Sequence, residues 1–171
     1  MKALSPVNER CGVARSLVVL GERWTLLIVR DVMMGITRFS DIRARLEVAP
    51  DILSDRLAKL IELGVLERRV YKADGARTRE DYQLTPIGRQ LSVVLCGLQD
   101  WGDRNVPNGR APSWQYIDAR SGEPVRVEFV GPDGVVETDQ VTMQVLEPET
   151  DAASALGALT PTAIKPRAAD G

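Results

Sequence analysis

Five cations fall within a dozen residues, Arg68, Arg69, Lys72, Arg77 and Arg79, on either side of an Asp-Gly pair. Segments rich in Val and Tyr flank that pair, so the stretch reads as a basic β-hairpin. Lys72, Arg77 and Arg79, nearest the turn, are placed to clamp phosphates or enter a minor groove. A charged edge that only discourages aggregation has the same composition. A second group lies upstream in PDILSDRLAKLIELG. With Leu53, Leu57, Leu60 and Ile61 on one helical face, Asp51, Ser54, Asp55, Ala58 and Lys59 turn outward, and Arg56 sits at the boundary. Arginine bonds guanine edges in pairs, serine does so less selectively, and lysine suits a phosphate. Asp51 and Asp55 favour the positive end of the helix dipole and can orient Arg56. Arg38 and Ser40, where another short helix begins, suit phosphate because helix N-terminal amides attract anions.

Catalytic chemistry is poorly served. The chain has no histidine and two cysteines, which excludes His-based triads and a conventional tetrahedral zinc centre. Neither thiol has a general base that the sequence can name. No catalytic residue, metal or cofactor is assigned. Cys11 opens the first helix, where the dipole and nearby Arg10 and Arg15 favour a thiolate and hence a redox or electrophile sensor. A small residue packed at a subunit contact is the equal alternative. Cys96 lies off the apolar stripe of its helix, either exposed or at a subunit contact.

The elements that must position these residues follow from period. Val13, Ala14, Leu17 and Val18 predict a first helix ending at Gly21, and Trp24, Leu27, Ile28 and Val32 a second ending at Gly35. FSDIRARL, with Phe39, Ile42 and Leu46 inward, is a short third helix. The linker EVAP and Pro50 lead into the fourth, completing a helix-turn-helix. VLERRVYK and TREDYQL are the hairpin strands around DGAR. Thr85 caps a last helix with Ile87, Leu91, Val94, Leu95, Leu98 and Trp101 on one stripe. This order predicts an α+β winged helix-turn-helix spanning residues 1–112. NVPNGRAPS is a linker. PVRVEFV, the turn GPDG and VTMQV predict a small β appendage over 113–147, and the Ala, Thr, Pro and Gly-rich stretch 148–171 a flexible tail.

Net charge is −2, but residues 1–112 hold 18 Lys and Arg against 14 Asp and Glu, a balance of +4, and residues 113–171 hold 4 against 10, a balance of −6. The base is gathered with the helix-turn-helix. No apolar run is long enough to span a bilayer, and MKALSPVNER lacks the apolar core of a signal peptide, so the cytoplasm is the expected compartment.

The segments CGVARSLVVLGERWTLLIVRDV, RFSDIRARL, LSDRLAKLIELGVLERRVY and YQLTPIGRQL, across residues 10–104, resemble the HxlR family of bacterial winged helix-turn-helix regulators. The resemblance implies a homodimer built from the first and last helices that presents two recognition helices to a pseudo-palindromic duplex operator. It implies transcriptional regulation, repression included, in some members responsive to oxidants or electrophiles at the cysteine that Cys11 matches. A small-molecule effector at the dimer interface, with Cys11 merely packing, and a winged helix used for protein binding are the alternatives. The resemblance implies, for some longer relatives, a cysteine-containing ribbon beyond the domain. DARSGEPVRVEFVGPDGVVE has no Cys or His, so no metal is expected there.

Overall fold

The computed structural model describes residues 9–71, 79–112 and 114–144. Lys72, Arg77, the turn DGAR and the stretch 148–171 lie outside these residues, and Arg79 is described by its backbone alone. The chain divides into two compact units, Met1–Val125 and Arg126–Gly171, each treated by itself.

In the first unit, α1 (Gly12–Leu20) is capped by Cys11, whose Sγ accepts from the Ala14 amide at 3.5 Å. The chain then turns through Gly21–Trp24 into α2 (Thr25–Met33). Trp24 caps α2 in the left-handed region, φ 80°. That conformation costs a bulky residue on the order of 1–3 kcal/mol, and the Arg23 guanidinium stacks on its ring at 4.6 Å. Starting α2 one residue after Trp24 corrects the expected stripe. Ile28, Val29 and Val32 are buried, whereas Leu27 is exposed.

The helix-turn-helix follows as α3 (Phe39–Leu46) and α4 (Pro50–Glu62). Between them Glu47 takes the left-handed conformation, φ 50°, and Pro50 opens α4 where its missing N–H costs nothing. Ile42 and Leu46 of α3 meet Leu53, Leu57 and Leu60 of α4 in a core closed by α2 and the hairpin. Gly64, φ 68°, ends the helix-turn-helix and sends the chain into β1 (Leu66–Tyr71). β1 pairs antiparallel with β2 (Arg79–Leu84), Leu66 opposite Leu84 and Arg68 opposite Tyr82. The Tyr82 amide also donates to Thr37 O at 2.8 Å, tying the hairpin to the entrance of α3.

Thr85 caps the next helix as expected. Its Oγ1 accepts from Gly88 N at 3.1 Å and donates to Gly64 O at 2.5 Å. A side chain at Gly88 would place its Cβ 2.1 Å from Val65 O, so only glycine permits this approach. The single expected last helix is instead α5 (Pro86–Gln90) and α6 (Ser92–Asn105), parted at Leu91. Of its expected inward stripe only Leu95 is buried and Leu91 half-buried; Ile87, Val94, Leu98 and Trp101 are exposed. The stripe is wider than the first unit alone can cover.

In the second unit β3 (Phe129–Gly131) pairs antiparallel with β4 (Gly134–Val136) around Pro132 and Asp133. The strand expected from Pro124 is thus confined to its last residues, and before Val141 a 3-10 turn spans Thr138–Gln140. Glycine at 134 meets a φ of 120° that side chains resist.

Candidate nucleic-acid interface

The outer face of α4 carries Asp51, Ser54, Asp55 and Ala58, all exposed, while Leu53, Leu57 and Leu60 are buried to 1% or less. One helix thus separates a packed side from a polar side. Its two cations do not stand free on that polar side. Arg56 pairs through Nη1 with Glu22 Oε2 at 2.5 Å and with Asp55, and its Nε donates to Arg23 O at 3.4 Å. Lys59 Nζ donates to Glu22 Oε1 at 3.0 Å and lies 3.5 Å from Asp55 Oδ2. The hydrogen bond to Glu22, with both carboxylates nearby, holds the Lys59 ammonium above the ordinary lysine range. Glu22, in the turn between α1 and α2, therefore collects both cations of α4. Lys59, expected outward, and Arg56, expected at the boundary, are both drawn toward that turn.

Around the entrance to α4 the charge is different. Arg38 precedes α3 without capping it through its side chain, and Ser40 sits in the first turn with its Oγ donating to Asp41 Oδ1 at 2.9 Å. Ser40, Arg43, Ala44, Glu47, Val48 and Ala49 line an open groove of about 650 Å³. Arg43 is exposed there and enters no ion pair among the described residues. In the hairpin stem Arg68 pairs with Glu80 at 3.4 Å and Arg69 with Glu67 at 2.8 Å.

Sequence reasoning missed Asp31. It is fully buried in α2, and its Oδ1 accepts from Arg30 Nε at 2.9 Å, Arg30 Nη2 at 2.7 Å and Arg45 Nε at 3.3 Å. Arg45 belongs to α3, so this buried carboxylate fastens the helix-turn-helix to α2. An acidic residue inside the apolar run TLLIVRDVM was the signal available. Cys11 is exposed and Cys96 half-buried, both as free thiols.

The chain matches the model of the HxlR-like helix-turn-helix over residues 19–110. It belongs to that family. A relative, the uncharacterized HTH-type transcriptional regulator MT3179 of Mycobacterium tuberculosis (strain CDC 1551 / Oshkosh), is 40% identical over 124 residues, 71% of this chain and 77% of its own. YtfH of Escherichia coli (strain K12), similarly named, is 33% identical over 100 residues, 58% of this chain and 78% of its own. Among solved structures, PA1607, a candidate transcription factor, superposes with a TM-score of 0.65 at 31% identity, covering 83% of this chain and 96% of that one. PA1374 of Pseudomonas aeruginosa, also a candidate transcription factor, gives 0.53 at 36% identity, covering 84% and 97%. The HxlR-type fold is thus α+β, a helix-turn-helix followed by a β-hairpin wing. No helix among the described residues is long and apolar enough to cross a membrane.

Proposed function

We propose that this chain is a cytoplasmic transcriptional regulator that binds duplex DNA as a homodimer. Two copies of α4 would enter major grooves about one helical turn apart on a pseudo-palindromic operator. One observation carries the reading: α4 buries Leu53, Leu57 and Leu60 and presents Asp51, Ser54 and Asp55 to solvent near the groove that Ser40 and Arg43 line. Ser54 would read a base edge. Ser40, Arg38 and Arg43 would hold phosphates, with Lys72, Arg77 and Arg79 doing so from the wing. A second copy has its own motive. Val13 and Leu17 of α1 and Val94, Leu98 and Trp101 of α6 are all at least 44% exposed, and apolar surface of this kind favours burial against a partner.

The test is fluorescence anisotropy on duplexes selected by the chain from a random pool, between about 50 and 200 mM salt. Affinity should fall with a log–log slope of about −0.9 per phosphate engaged. A flat response would favour a protein-binding module. The same assay with an oxidant or electrophile tests Cys11, whose exposed thiol sits at the start of the apolar helix α1. Release in wild type and none in Cys11→Ser supports sensing; identical behaviour removes it. Effector-induced release that survives Cys11→Ser would instead favour a small-molecule regulator. The cavity of about 420 Å³ lined by Leu26, Leu27, Leu95, Leu98 and Trp114 has the size such a ligand needs.

A further inference from the structure

We infer that Glu22 is a positioning residue of the DNA interface: from the α1–α2 turn it fixes α4 through Arg56 and Lys59 and keeps both cations away from indiscriminate contact with phosphate. The inference rests on the regulator reading and adds a determinant of specificity outside the helix-turn-helix.

The observations are geometric. Arg56 and Lys59 are the only Lys or Arg of α4; Asp55 on the same helix lies near both, and Glu22 is the carboxylate from outside α4 that meets both among the described residues. Arg56 is the more firmly held. Its side chain is 20% exposed, with Asp55 and the Arg23 carbonyl completing its shell. Glu22 itself is only 29% exposed, so the pair is weakly screened by salt and resists exchange with solvent. The base of this strut is stiff. Gly21 N donates to Leu17 O at 2.9 Å and Thr25 N to Glu22 O at 3.2 Å, with the stacked Trp24 next in the turn. The strut therefore joins α1, which bears exposed Val13 and Leu17, to the helix that would read DNA.

The charge balance gives the consequence. With Asp51, Asp55 and Glu22 beside Arg56 and Lys59, the surface around α4 carries no net positive charge. Attraction to phosphate must come from α3 and the wing, which leaves α4 to discriminate by fit. Removing the Glu22 charge would leave both cations only the exposed Asp55 of their own helix and let them reach the phosphates of any sequence alike.

The experiment compares full-length wild type with Glu22→Gln on a duplex selected by the wild type and on a random-sequence duplex of equal length, across the same salt range. Glu22→Gln should bind random duplex more tightly, steepen its salt slope by up to about 1.8, and lower the ratio of selected to random affinity about tenfold. A purely structural role would lower the melting temperature and weaken both duplexes alike, leaving ratio and slope unchanged; that result overturns the inference. Lys59→Gln provides a second arm that keeps Glu22 and Arg56 together. The inference expects its slope to match wild type, whereas a lysine already on a phosphate would lose about 0.9, and that loss would overturn it even if Glu22→Gln failed to fold. If wild type itself shows no salt-dependent affinity, the regulator reading fails and takes this inference with it. Wild-type binding with an unaltered Glu22→Gln ratio removes the inference alone.

Discussion

Helices α4 and α6 are both amphipathic, yet the fold uses them in opposite ways. α4 buries Leu53, Leu57 and Leu60 and shows solvent a polar side. α6 buries Leu95 alone and shows solvent Val93, Val94, Leu98 and Trp101, the last 61% exposed. With its leucines inside and Ile52 left 39% exposed, α4 offers a partner mainly hydrogen bonds and charge, which suits a base edge or a phosphate. A helix that retains its apolar residues outside has its largest gain in meeting another apolar surface. The two halves of the proposed mechanism, reading and pairing, are thus divided between helices by where their leucines went.

The same truncation on the two helices should sharpen this division. Leu57→Ala removes a side chain 1% exposed and should cost about 2–5 kcal/mol of stability, read as a fall in unfolding midpoint at constant denaturant slope. Leu98→Ala, at a position 50% exposed, should cost under about 1 kcal/mol when measured at concentrations where the chain is monomeric. Equal losses at both positions would show that α6 is packed as deeply as α4 and that its outer face needs no second copy. Charge on that face separates pairing from folding. Leu98→Asp with Trp101→Asp should leave a folded monomer by sedimentation velocity. Its affinity for the selected duplex should drop about 100-fold, the advantage lost when two linked sites become one. A dimer that persisted with unchanged affinity would place the subunit contact elsewhere.

Much of this arrangement was legible in order and period. The third and fourth helices, the turn with Pro50, the pairing of β1 with β2 and the Thr85 cap all follow from local rules that act within a few residues. Asp51, Ser54 and Asp55 face solvent because the leucine spacing leaves them nowhere else. What period cannot reveal is the partner across the fold. Lys59 meets Glu22 from 37 residues away; DRLAKL shows Asp55 within reach of both its cations but gives no sign of the second carboxylate that arrives from the α1–α2 turn. Asp31 was passed over for the same reason: a helical wheel sends a carboxylate outward unless the arginine of another helix, here Arg45, is known to be waiting. Gly88 pressed against Val65, three residues before the break at Leu91, is likewise a contact between segments that are distant in sequence. The surplus apolar width of α1 and α6 was visible as residues but not as surface, since only the packed chain shows which of them remain uncovered.

The smallest expected effect bears on the polar half of the comparison. Arg43 on α3 is exposed, unlike the cations that Glu22 gathers, and it lines the groove at the entrance to α4. A cation there can approach a phosphate without first giving up a carboxylate. Arg43→Ala should therefore weaken selected and random duplexes by the same factor, shallow both salt slopes by about 0.9, and leave the unfolding midpoint within the change of about 0.5 kcal/mol usual for a surface site. A loss confined to the selected duplex would make Arg43 a reader of sequence and move part of the recognition from α4 to α3. No loss on either duplex would place the phosphates off this groove, leaving the wing and Arg38 to hold the backbone.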